Sequence, residues 1–107
     1  MTWLHWLLLY LSPLGLFACY LVYIQHERGG LWVVCGYIGG IPGYLPDVAY
    51  NYLMCAVMGV WPEWKNRTIT AQLPVLAKLG GLRGEFAIAL ANFLNWFAPS
   101  GQHVNLR

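Results

Sequence analysis

The sequence predicts an all-α integral membrane protein: a helical hairpin with a broken or re-entrant second segment, followed by C-terminal interfacial amphipathic helices. Three observations carry that expectation. Residues 3–24, WLHWLLLYLSPLGLFACYLVYI, contain no Asp, Glu, Lys or Arg; residues 31–61 contain only Asp47; and beyond Trp61 apolar residues recur at helical spacing. With 59% hydrophobic and 9% charged residues in a chain of 107, the composition departs from the roughly 25% charged make-up of soluble domains. Too little sequence remains outside the apolar stretches for a conventional enzyme domain.

A hydrocarbon core about 30 Å thick is crossed by roughly 20 apolar helical residues, so residues 3–24 suffice for one span. Trp3, Trp6 and Tyr10 at one end, and Tyr20 and Tyr23 at the other, suit the two headgroup layers. Pro13 and Gly15 are tolerated within such a helix, with Pro13 as a kink. A cleaved secretory signal is disfavoured, because it would open on Lys or Arg, carry a shorter apolar core and end in small residues. This segment instead leaves through Tyr20, Tyr23 and Gln25.

Residues 25–30, QHERGG, form a polar break whose Gly29-Gly30 pair turns the chain. In the stretch that follows, Pro42, Gly43 and Pro46 predict an interruption, since proline lacks a backbone donor and disfavours helix at the preceding residue. The expectation is a broken or tilted second span, with two short re-entrant helices as the alternative. Asp47 is then placed to cap a helix over residues 48–60. Gly36, Gly39, Gly40 and Gly43 form a small-residue, helix-packing surface, open either to another copy or to the first span. Asp47 and, one turn later, Asn51 are the intramembrane polar residues. A membrane carboxylate is a candidate for an ion or proton pathway, but its position after proline and the lack of a second acid nearby favour capping.

Trp61 and Trp64 bracket the exit from the second segment as interfacial anchors. Ile69, Leu73, Leu76 and Leu79, and after Gly80-Gly81 the set Leu82, Phe86, Leu90, Phe93 and Phe97, predict two amphipathic helices about a glycine hinge. Phe86, Phe93 and Phe97 are expected to anchor in the acyl boundary, with Gln72, Lys78, Arg83, Glu85, Asn92 and Asn95 toward water; a protein partner is the rival cover for the apolar face. Pro99-Ser100-Gly101 ends the last helix. The chain thus divides into a transmembrane hairpin, residues 1–64, and an amphipathic region with its tail, residues 65–107. Lys65, Arg67, Lys78, Arg83 and Arg107 follow the second segment while Arg28 alone lies in the connecting loop, which predicts cytoplasmic N- and C-termini.

Cys19, Cys35 and Cys55 show no CxxC spacing, and His5, His26 and His103 are far apart, so neither a metal centre nor a cofactor is expected. No nucleophile with a base, phosphate loop or carboxylate pair can be assembled. The chain is therefore expected not to be an enzyme, and no small-molecule substrate is evident. Its basic residues are too few and dispersed for a nucleic-acid surface. The expected partners are the lipid bilayer and a membrane protein or a second copy of the chain.

Asp47 and Asn51, then Pro62-Glu63-Trp64, Arg67-Thr68, and Phe97-Ala98-Pro99-Ser100-Gly101-Gln102-His103 occur in the order seen in a group of small inner-membrane proteins of tailed bacteriophages and prophages. From residue 41 onward the chain resembles that group. The resemblance implies a phage-derived protein of a bacterial inner membrane and no particular activity. The leading expectation is a non-enzymatic module that binds or modulates a membrane complex, as in superinfection exclusion. A holin-like pore-forming oligomer and an accessory subunit of a larger membrane assembly are the alternatives.

Overall fold

The computed structural model describes residues 2–106, and among them all regular structure is helical. The helices are α1 (Trp3–Leu11), α2 (Pro13–Tyr23), α3 (Val33–Met58), α4 (Ile69–Lys78) and α5 (Gly81–Phe97), with 3-10 turns at Ile24–Arg28, Gly30–Trp32 and Trp64–Asn66. The chain divides between Pro46 and Asp47 into two compact units, and α3 contributes its first half to one and its second half to the other.

In the first unit the break falls in the first apolar segment. Ser12 is extended, at φ −76° and ψ 164°, as the residue before proline prefers. Its hydroxyl donates to the Leu9 carbonyl at 2.5 Å and accepts from the Gly15 N–H at 3.4 Å. Pro13, whose missing donor costs nothing at a first helical position, then starts α2. The two helices bend by 71°, so the single span expected over residues 3–24 is corrected to a bent pair. No single described helix is long and apolar enough to cross a membrane; this pair meets the length and composition required.

The second apolar segment corrects the expectation in the opposite sense, because α3 runs without interruption through Pro42 and Pro46. Pro46 has no N–H to offer the carbonyl four residues earlier, which leaves the Pro42 oxygen without its helical donor. The Tyr10 hydroxyl of α1 donates to that oxygen. Replacing the lost bond from a neighbouring helix lets a proline-containing helix continue.

The glycine row explains how closely these helices approach. A Cβ on Gly39 would stand 2.5 Å from the Tyr23 nitrogen, and one on Gly43 2.8 Å from the Cys19 Cβ. Gly36 and Gly40 face His26 and the Tyr23 ring. All four glycines therefore meet α2 or the turn that follows it. Gly29 and Gly30 adopt φ 77° and 58° in the connection, conformations that favour glycine.

In the second unit α4 and α5 form a helical hairpin around buried Leu73, Leu76, Ala87, Ala91 and Val104, with Met54 and Met58 of α3 packed against them. Gly80 and Gly81, at φ 68° and 62°, make the turn.

The close approach at Gly39 predicts that Gly39→Ala costs about 1–3 kcal/mol through overpacking against backbone. Gly36→Ala, whose nearest contact would be the His26 Cβ at 3.0 Å and not backbone, should cost less. Unfolding midpoints of the two variants in detergent, followed by circular dichroism, check the order.

Candidate functional site

A seam of polar side chains runs along the inward face of the second half of α3. Asp47, Asn51 and Cys55 follow one another at four-residue spacing and so share a face. The Asp47 Oδ1 accepts from the Ile69 N–H at 2.9 Å, and the Thr68 hydroxyl accepts from the Ala71 N–H at 3.3 Å. Two of the four unpaired donors at the start of α4 are thereby satisfied. A carboxylate also suits the positive end of that helix. Asp47 is thus a cap, but of α4; the expected helix start at residue 48 is corrected, since Asp47 lies inside α3.

Asn51 is fully buried; its Nδ2 donates to the Asn66 carbonyl at 2.9 Å, and its Oδ1 faces the Cys55 Sγ at 3.7 Å. Gln72 was expected on the water face but is buried beside Cys55, and its Oε1 makes no hydrogen bond within the described residues. On the other side of the seam, the His103 Nε2 lies 3.5 Å from the Thr70 hydroxyl and within electrostatic reach of Asp47.

The tail is clamped by a residue also expected to face water. The Asn95 Oδ1 accepts from the Val104 N–H at 2.6 Å while its Nδ2 donates to the Val104 carbonyl at 3.0 Å. This paired bond seats Val104 in the core. The short motifs at Asp47, Asn51, Arg67-Thr68 and His103, scattered over the sequence, are consequently gathered around the start of α4. Gln72, Cys55, Thr70 and Asn95 complete that region; helical spacing from Asp47 could have reached Cys55, whereas no sequence signal marked the others.

The two sides of α5 differ in side-chain size. Gly84, Ala87 and Ala91 form the buried face, whereas Leu82, Phe86, Phe93 and Trp96 lie exposed on the opposite side. Small residues are selected by the close approach to α4: a Cβ on Gly84 would meet the Ala77 carbonyl at 3.0 Å. The outer rings are ordered among themselves, with Phe93 and Phe97 edge to face at 5.1 Å between centroids and Trp96 5.5 Å from Phe97. Trp96, overlooked in the sequence, is 80% exposed. Trp61 and Trp64 are also exposed; Trp61 packs on Tyr52 at 4.9 Å, and the Arg67 guanidinium lies 4.9 Å from the Trp64 ring.

The seam consists of caps and clamps, and Leu82, Phe86, Phe93 and Trp96 form an exposed apolar stripe. No protein-family model matches the chain, and no curated protein or solved structure matches it either.

Asp47→Ala is expected to destabilise the second unit by about 1–2 kcal/mol, the range for a lost helix cap, whereas Asp47→Asn keeps an acceptor and should lose less. Chemical unfolding of the two variants in detergent measures the difference. Asn95→Ala should free the tail at a cost of about 1–3 kcal/mol, because both bonds to Val104 vanish. Limited proteolysis should then cut after residue 98 markedly faster than in the parent protein.

Proposed function

We propose that this chain is a non-enzymatic, phage-related module of a bacterial inner membrane that binds and modulates a membrane protein complex, as in superinfection exclusion. The single observation that carries the reading is the distribution of apolar surface. α1 buries none of its residues, and α3 exposes Tyr37, Ile38, Ile41 and Leu45. Contiguous apolar surface of this kind marks a lipid or protein contact. The first unit is accordingly assigned to the bilayer, and the α5 aromatic stripe to the cytoplasmic interface.

The binder is preferred over the holin-like pore on two grounds. The glycine row that would support self-association already receives α2 and the turn after it. An aqueous lumen also needs polar lining, and the polar side chains Asp47, Asn51 and Gln72 are turned toward the inside of the second unit.

A photoreactive amino acid placed at Ile41 is expected to yield a discrete protein adduct on irradiation of living cells, while membrane potential persists during expression. Collapse of the potential, or adducts with lipid alone, would overturn the binder reading.

A further inference from the structure

The turn of the α4–α5 hairpin reads Lys78-Leu79-Gly80-Gly81-Leu82-Arg83, an apolar tip flanked on both sides by a basic residue. Leu79 is 45% and Leu82 84% exposed, although leucine at the end of a packed hairpin has a core directly behind it. Neither Gly80 nor Gly81 has any neighbour where a side chain would be, so nothing in the second unit covers the tip. Lys78 and Arg83 are exposed and form no ion pair among the described residues. Arg83 places one guanidinium N–H 3.4 Å from the Met58 carbonyl, which uses one of its five donors. The nearest acid in sequence, Glu85, projects about 200° around the helix from Arg83.

We infer that this tip is a docking element for anionic phospholipid headgroups: Leu79 and Leu82 enter the acyl boundary while Lys78 and Arg83 contact the phosphates above it. The charge arrangement selects that occupant. Two cations flanking two exposed leucines match a surface that is apolar below and negative above, and long basic side chains reach upward while their stems stay in apolar contact. The exposed stripe on α5 continues from Leu82 through Phe86 to Phe93 and Trp96, so insertion of the tip lays the whole outer face of the helix on the same surface. A protein groove would satisfy the leucines but offers no reason for the symmetric cations.

This inference rests on the membrane reading above, and one experiment separates the two. The full chain is reconstituted into vesicles of phosphatidylcholine alone, or with phosphatidylglycerol added. An environment-sensitive fluorescent amino acid replaces either Leu82 or, in α1, Leu8, and quenching by brominated acyl chains is read. The Leu8 probe is expected to be quenched in both vesicles, and the Leu82 probe far more strongly when phosphatidylglycerol is present. Lys78→Gln with Arg83→Gln should cancel that gain, shifting the buried-to-exposed ratio roughly thirtyfold for two basic residues. Arg83→Lys, which keeps the charge but not the guanidinium, should retain it. A quenched Leu8 probe with the Leu82 probe unquenched, or equally quenched in both lipids, overturns the docking element and leaves the membrane reading standing. An unquenched Leu8 probe overturns the membrane reading, and the docking element with it.

Discussion

The bond from the Ile69 N–H to the Asp47 carboxylate is the constraint on which the second unit depends. A helix start buried against other structure must have its free donors met. α4 cannot meet all of its own, because Thr68 supplies a single acceptor for Ala71. Asp47 supplies another from α3 and so fixes where α4 begins along that helix. Asn51, one turn on, holds the incoming segment by the Asn66 carbonyl. With α4 placed, Leu73 and Leu76 point into the core that Ala87, Ala91 and Val104 complete.

The first unit solves the same problem by a different route. Proline in α3 removes a donor rather than leaving one exposed, and the Tyr10 hydroxyl fills the vacancy at the Pro42 carbonyl. Glycine at positions 39 and 43 lets α2 come close enough for the contact to be dense. In both units a backbone group is satisfied by a side chain distant in sequence.

Helix as the only regular structure, the polar turn at residues 25–30 and the hinge at Gly80-Gly81 were legible in the sequence, because periodicity and glycine placement are local signals. The placement of the interruption was not. Pro13 and Pro46 carry the same local propensity; their different outcomes depend on Ser12, which supplies both bonds of a helix junction, and on Tyr10, which lies far from Pro46 in the chain. The capping role of Asp47 could be read from its residue type and from the proline before it, but its target could not, since Ile69 becomes its partner only in the folded unit. The buried face of α5 was not legible, for a physical reason. Apolar periodicity marked Leu82, Phe86 and Phe93, which lie exposed, whereas the face packed on α4 is made of Gly84, Ala87 and Ala91, small residues that a search for large apolar side chains passes over.

A helix apolar on both sides has a consequence for how the second unit can exist. One side of α5 is committed to α4, and the aromatic side, with Phe86, Phe93 and Trp96 exposed, must find a second apolar surface or remain unfavourably hydrated. At about 25 cal/mol per Å² of apolar area removed from water, covering even part of such a stripe contributes more than the surface ion pair between Glu63 and Lys65, a class of contact worth about 0–1 kcal/mol. The covering surface therefore weighs more in placing this hairpin than a surface ion pair of that kind would. On the proposed reading, charge acts at the tip alone, where Lys78 and Arg83 select the kind of surface while the leucines and rings supply the strength of attachment.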